Sequence, residues 1–346
     1  MTLAKPYLLF LGASASLGEC KTAAGLRDWC PDDVIGQHAL EGCRVDLGLP
    51  WLNPQAAVEA GARSLVIGVA PVGGAIPPAW WPVLTAALEA GLDLVSGMHT
   101  RLRSVPGLAA AADAHGRHLH DVRHTDRLFQ AATGVKRAGR RVLTVGTDCA
   151  LGKKYTALAL CAALRRRGVA ATFRATGQTG ILIAGAGVAV DAVVADFIAG
   201  AAEWLSPVND PAHWDVIEGQ GALFHPAYAG VTLGLVHGSQ PDALVLCHDP
   251  SRTHLEGFPG FPLPTLRSAM EQYLTAARLT NPRVRIAGIS LNTSRLEDAQ
   301  RERLKRDLEG EFAMPVIDPI RDGAARIAEA LERDVPPLPG IGATGS

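Results

Sequence analysis

A chain of 346 residues, 48% hydrophobic and 19% charged, is long enough for two α/β domains, each with its own core, and too apolar to be disordered. Lys plus Arg (33) nearly balance Asp plus Glu (34), so no global basic field exists to condense a polyanion, and nucleic acid is not an expected partner. Gly, Pro, Asp or Arg interrupts every apolar stretch before the roughly 18 to 20 residues that a bilayer crossing needs.

No membrane span is therefore expected. The apolar run near the start, Tyr7-Leu-Leu-Phe-Leu, is too short for a secretory signal and leads into the turn at Gly12, so a cytoplasmic location is the expectation. Cys20, Cys30, Cys43, Cys149, Cys161 and Cys247 contain no C-x-x-C pair, which predicts reduced thiols and disfavours a structural zinc site.

Tyr7-Leu-Leu-Phe-Leu reads as a buried strand ending in Gly12, and Ser64-Leu-Val-Ile-Gly-Val-Ala as another leading into Pro71-Val-Gly-Gly. Residues 54–62 and 78–90 have helical composition, the second with Pro at its start and Gly91 at its end. Leu92-Asp-Leu-Val-Ser is the next strand, and this alternation predicts a Rossmann-like parallel sheet domain. Residues 109–140 are rich in His and Arg, lack a long apolar run and finish in Lys136-Arg-Ala-Gly-Arg-Arg. The domain boundary is placed there, giving domains 1–136 and 137–346. The second domain has apolar strands at Arg141-Val-Leu-Thr-Val, Ala170-Ala-Thr-Phe-Arg, Trp214-Asp-Val-Ile-Glu, Ala243-Leu-Val-Leu-Cys and Arg285-Ile-Ala-Gly-Ile-Ser. Separated by helices, these five predict a P-loop-type doubly wound parallel sheet.

Gly146-Thr147-Asp148-Cys-Ala-Leu-Gly152-Lys153 follows one of these strands and precedes the helix 154–167, where a phosphate cradle belongs. Loop N–H groups would face an anion and Lys153 would add a positive charge; the bland reading is an ordinary turn with a chance Gly-Lys. Five residues rather than four separate Gly146 from Gly152, and Lys154 stands where a nucleotide-hydrolysing loop has the Ser or Thr that ligates Mg²⁺. The spacing and the Gly-Thr-Asp start resemble dethiobiotin synthetase. Thr156 could replace the missing hydroxyl in part, but phosphate binding fits better than ATP hydrolysis.

Glu218-Gly-Gln220-Gly follows the strand Asp215-Val-Ile, at the sheet edge where α/β proteins place ligands. Glu218 could accept a proton, hold a metal or bind an ammonium; capping the next turn is the bland alternative. His225, Tyr228, His237 and Ser239 lie on Gly-rich connections, and Ala175-Thr-Gly-Gln178-Thr179-Gly is expected beside the phosphate loop with donors for a carboxylate or phosphate. Asp196 reads as a helix cap, and Asn292 and Thr293 as the rim of the site.

With Asp196-Phe-Ile-Ala-Gly-Ala-Ala-Glu-Trp, Glu218-Gly-Gln-Gly-Ala-Leu-Phe-His-Pro-Ala-Tyr, Leu235-Val-His-Gly-Ser-Gln-Pro-Asp-Ala, Gly68-Val-Ala-Pro-Val-Gly-Gly and Ser96-Gly-Met-His-Thr, the chain resembles the D-glutamate N-acetyltransferase family over nearly its whole length. The resemblance implies acetyl transfer from acetyl-CoA, as co-substrate, to the amine of D-glutamate, with no metal required. For that reaction Glu218 or His225 is the expected catalytic base. Gly146, Thr147, Asp148, Gly152, Lys153 and Lys154 would bind the coenzyme, and Gln178, Thr179, Gln220, His237 and Ser239 the substrate. An acyl-enzyme on Cys149, at a helix N-terminus, is the covalent variant, with a buried structural cysteine the commoner reading. The expected partners are a small amino acid and further copies of the chain in a homo-oligomer. The competing reading is an ATP-dependent ligase or kinase of the dethiobiotin synthetase type, with Asp148 and Glu218 on Mg²⁺.

Overall fold

The computed structural model describes residues 3–71 and 73–333. Val72, in the turn expected after the second strand, lies outside the described residues, as do the two ends of the chain at 1–2 and 334–346. The chain forms two compact units, one running to Arg127 and including Gly177–Ala192, the other comprising Leu128–Thr176 and the chain from Val193 onward.

In the first unit, β1 (Tyr7–Phe10), α1 (Lys21–Trp29), β2 (Val34–His38), α2 (Pro54–Glu59), β3 (Ser64–Ile67), α3 (Trp81–Ala90), β4 (Asp93–Ser96), α4 (Leu108–Ala114) and β5 (Leu119–Asp121) follow one another. The strands pair in parallel in the order β2-β1-β3-β4-β5, a doubly wound Rossmann-like arrangement. β1, β3 and β4 are buried along their whole length, as helices on both faces of a sheet require. Gly91 ends α3 in a left-handed conformation, φ 103°. β2 and β5 were not expected. β2 carries Gly36 and Gln37 in place of a continuous apolar run, and a Cβ on Gly36 would lie 2.7 Å from the Leu52 side chain and 2.9 Å from the Pro50 carbonyl.

The second unit opens with β6 (Arg140–Gly146), α5 (Lys153–Arg166) and β7 (Ala171–Arg174). The chain then leaves it: α6 (Gln178–Ala184) belongs to the first unit, where Thr179 Oγ1 meets Thr22 Oγ1 of α1 at 2.9 Å and Arg123 donates to Gln178 Oε1 at 2.6 Å. Arg123 also pairs with Asp191 at the end of the excursion. Returning at Val193, the chain forms α7 (Ile198–Leu205), β8 (Trp214–Ile217), α8 (Ala229–Ser239) and β9 (Ala243–His248). A small antiparallel hairpin, β10 (His254–Leu255) and β11 (Phe258–Pro262), is followed by α9 (Leu266–Arg278), β12 (Arg285–Leu291), α10 (Asp298–Phe312), β13 (Val316–Ile317) and α11 (Ala325–Arg333).

The six sheet strands run parallel in the order β13-β12-β9-β6-β8-β7, so the expected five gain the short β13. The chain continues from β6 toward β7 on one side and from β9 toward β12 on the other. Their loops diverge above the β6/β9 pair, and that divergence opens a ligand crevice at the carboxyl ends of the strands. At the opposite edge the basic turn 136–141 is consumed internally: Lys136 pairs with Asp242, Arg137 with Glu203, and the fully buried Arg141 donates to the carbonyls of Arg137, Ala138, Gly139, Ser206 and Pro207.

Asp196 lies in a 3-10 turn, Ala195–Phe197, and neither that turn nor α7 receives a side-chain cap. It is not the expected helix cap. Among the described residues, no helix is long and apolar enough to cross a membrane.

Candidate phosphate-binding and catalytic site

β6 ends at Gly146 and the loop turns through Ala150 (φ 51°) and Gly152 (φ 101°) into α5, which starts at Lys153. The Lys153 ammonium is buried and folds back to donate to the Asp148 carbonyl at 2.8 Å. Burial pushes its pKa below the ordinary lysine value. Gly219, just past β8, lies so close to this strand that a Cβ would fall 1.7 Å from the Thr144 carbonyl oxygen and 3.0 Å from Lys153 Cδ. Only glycine allows the turn that carries Glu218 to approach the loop this closely.

Glu218 is buried; its Oε2 accepts the Thr176 N–H at 3.0 Å, and its carbonyl accepts Thr176 Oγ1–H at 2.6 Å. Gln220 Nε2 donates to the same threonine hydroxyl at 3.2 Å. The ends of β6, β7 and β8 thus bring Lys153, Glu218, Gln220 and Thr176 together. His225 belongs to this cluster as well: an imidazole nitrogen lies within 4.8 Å of the Cys149 sulfur and of an Asp148 carboxylate oxygen.

Arg252 and its loop are the part that sequence reasoning missed. The expected strand stopped at Cys247, yet the next residues continue at the same sheet edge with Asp249, Arg252 and Glu256. Arg252 Nη1 meets Asp148 Oδ2 at 2.8 Å and the Cys149 carbonyl at 2.9 Å, Nη2 reaches the Ala150 carbonyl at 3.2 Å, and Nε lies 3.3 Å from Asp249 Oδ2. With two loop carbonyls tied outward to one guanidinium, the left-handed Ala150 is held in place. Thr147 Oγ1 bonds His248 Nδ1 at 3.0 Å, and burial pushes the His248 pKa down to about 4. The Tyr273 hydroxyl donates to the Gly146 carbonyl at 2.8 Å and accepts from Leu223 N–H at 3.2 Å, linking the loop to the turn after Glu218.

Asp148, Cys149 and His225 each bring a potential metal-ligand atom within 4.8 Å of the others, but Asp148 is already engaged. Asp148 Oδ1 accepts the Cys149 N–H at 2.6 Å while Oδ2 accepts both Arg252 and the Glu256 N–H at 2.8 Å each, so this fully buried carboxylate already carries three donors. Thr156 cannot supply the missing Mg²⁺ hydroxyl, because it is buried against Ser290 Oγ at 2.8 Å and the Gly152 carbonyl at 3.2 Å. The Lys154 ammonium lies 5.2 Å from the Tyr155 ring centroid. For Cys149, burial raises the thiol pKa against the pull of Lys153 and Arg252, which keeps the thiol protonated.

Of the expected substrate residues, His237 and Ser239 are not brought to the loop. Gln178 and Thr179 are engaged inside the first unit, as described above. His237 and Ser239 sit in the last turn of α8, which runs back to the amino ends of the strands; His237 Nε2 contacts the Ala276 carbonyl at 3.2 Å, and Ser239 is buried under its own helix. Asn292 and Thr293 close β12, but Thr293 is bound to Asp318 rather than presented to a ligand.

A doubly wound Rossmann-like unit joined to a parallel sheet with a phosphate loop at its switch point defines a two-domain α/β protein built around an anion cradle. The chain belongs to the DUF1611 family: residues 129–328 match its C-terminal P-loop domain and 37–125 its N-terminal Rossmann-like domain, both described as domains of unknown function. It is 52% identical over 326 residues to a D-glutamate N-acetyltransferase of Tritonibacter scottomollicae, covering 94% of this chain and 98% of that one. A D-glutamate N-acetyltransferase of a Pseudoalteromonas species is 45% identical over 331 residues, covering 96% and 100%. The crystal structure of a DUF1611 family protein from Anabaena variabilis superposes with a TM-score of 0.86 at 34% identity, covering 96% of this chain and all of that one.

Proposed function

We propose that the protein transfers an acetyl group from acetyl-CoA to the amine of D-glutamate. The observation that carries this reading is a phosphate loop whose metal-binding parts are absent or occupied: Lys154 replaces the hydroxyl residue, Thr156 faces Ser290, and Asp148 is saturated by Arg252 and two N–H groups. Such a cradle suits the phosphates of coenzyme A, which need anion binding without phosphoryl transfer. The two relatives named D-glutamate N-acetyltransferase, matched along almost their whole length, support the reaction.

Acetyl transfer requires a neutral amine, a base for its proton and donors for the oxyanion at the thioester carbonyl. Glu218, held at the end of β8 by Thr176, is the base in this scheme, with Lys153 and the loop N–H groups on the coenzyme phosphates and Gln220 beside the substrate. The test is incubation with acetyl-CoA and a panel of D- and L-amino acids, quantifying free thiol and N-acetylated product together. D-Glutamate should give both in equal amounts; thiol release no faster than the blank with every acceptor would overturn the proposal.

A further inference from the structure

We propose that His225 serves this reaction as a hydrogen-bond donor through Nε2–H to the oxyanion of the tetrahedral intermediate, leaving the base role to Glu218. The inference rests on the acetyl-transfer reading and assigns the two groups of its active site separate tasks. Its foundation is the bond on the far side of the ring: the Ala227 backbone N–H donates to His225 Nδ1 at 3.2 Å. A backbone N–H can only donate, so Nδ1 must keep its lone pair, and the proton of the neutral imidazole therefore resides on Nε2.

The ring is held in that orientation. It stacks on Tyr228 with centroids 4.6 Å apart and planes at 23°, meets the edge of Phe258 at 4.8 Å and 79°, and is 1% exposed. Turning it over would set a C–H against the Ala227 N–H and lose the bond. A general base needs a lone pair facing the proton it takes, and neither nitrogen offers one: Nδ1 is occupied by Ala227 and Nε2 bears hydrogen. The ring lies at the phosphate loop, one of its nitrogens within 4.8 Å of an Asp148 carboxylate oxygen and the Cys149 sulfur; with Nδ1 committed to Ala227, Nε2–H is the group left to meet a thioester carbonyl as it gains charge.

In the step itself, the amine nitrogen of D-glutamate forms a bond to the thioester carbon and the carbonyl π pair moves onto oxygen, where Nε2–H meets it. Glu218 takes the proton from the attacking nitrogen. The oxygen pair then re-forms the carbonyl, the C–S bond breaks, and the coenzyme leaves as thiolate.

The experiment compares His225→Phe, which removes the donor, with His225→Gln, whose side-chain amide N–H reaches a position close to that of Nε2–H. The Phe variant should lose about 10²- to 10³-fold in kcat with little change in KM. The Gln variant should stay within roughly tenfold of wild type and keep the shape of its pH–kcat profile, because Glu218 still governs the ionisation. A Gln variant as inactive as the Phe variant, or one that loses the acid limb, would overturn the proposal. In parallel, ¹⁵N spectra of histidine-labelled wild type and His225→Gln identify the resonances of this ring. The Nε2-protonated pattern is expected, and an Nδ1-protonated ring would overturn the donor assignment whether or not any acetyl transfer is seen. Absence of thiol release by the wild type with all acceptors would instead sink the acetyl-transfer reading, a separate result from the ring's tautomer.

Discussion

Arg252 and Asp148, 104 residues apart in sequence, form a 2.8 Å ion pair in which the carboxylate is fully buried and the guanidinium partly so. The pair closes the phosphate loop from outside, since the same guanidinium holds the carbonyls of Cys149 and Ala150. Arg252→Gln would leave the Asp148 charge without its partner. The expected cost is about 3 kcal/mol of stability in urea unfolding, with Arg252→Lys recovering only part of it because an ammonium cannot span both carbonyls. An unfolding midpoint unchanged in Arg252→Gln would show that the pair does not hold the loop.

Lys153→Ala should weaken coenzyme A binding by roughly 10- to 100-fold, the value of a charge-assisted hydrogen bond, with the circular dichroism spectrum preserved. Burial lowers the Lys153 pKa, so wild-type affinity for the anion should decline as pH rises, beginning below the ordinary lysine value of 10.5. Titration calorimetry across pH checks both points; equal affinities in wild type and variant would remove Lys153 from the site.

Glu218→Gln keeps the side-chain volume and the bond from Thr176 while removing the charge. A drop in kcat of about 10²- to 10⁴-fold with coenzyme affinity retained is expected for a general base. Should KM for the amino acid rise more than kcat falls, the carboxylate orients the ammonium instead.

His248 sets a pH dependence of stability. Its pKa is lowered from 6.5 to about 4, so between those values the unfolded chain binds a proton that the folded chain refuses. Its contribution is fully present above pH 6.5 and is lost as pH falls toward 4, amounting to roughly 3 kcal/mol over that window. His248→Asn should flatten the stability profile from pH 4 to pH 6.5, as measured by urea unfolding at stepped pH; an unaltered slope would assign the effect elsewhere.

Acetyl transfer by this site should continue in excess EDTA. Loss of activity with the chelator, restored by Mg²⁺, would favour an ATP-dependent reaction and require Asp148 to exchange Arg252 for a metal.

Local features were legible in the sequence. β1, β3, β4 and the runs around β6, β8, β9 and β12 announce themselves as apolar stretches ending in small or polar turns, because parallel strands buried on both faces are near-continuously apolar and their short length and flanking turns separate them from buried helices. The phosphate loop was equally plain, as its chemistry lies within eight consecutive residues from Gly146 to Lys153. What escaped depends on distant partners. β2 is interrupted by Gly36, whose missing Cβ is explained only by Leu52 and Pro50 across the gap. Arg252 looks like any loop arginine until β9 is placed beside β6. Gln178 and Thr179 directly follow a strand of the second sheet, and nothing in Ala175-Thr-Gly-Gln-Thr-Gly reveals that their bonds are to Thr22 and Arg123. For His237 and Ser239 the distance lies within one element, since a helix of 11 residues carries them about 16 Å along its axis from the ligand edge of the sheet to the far one.

The excursion of Gly177–Ala192 bears on how this polypeptide can be cut and recombined. A fragment ending at residue 136, although it contains every strand of the first sheet, would leave Arg123 without Asp191 and Gln178 and Thr22 without Thr179. The complementary fragment would carry 16 residues, Gly177–Ala192, whose bonding partners had been removed. Because the backbone passes from one unit to the other three times, no single cut separates the two. A complete first unit needs 177–192 as well as the chain to Arg127, and a complete second unit needs Thr176 and Val193 rejoined.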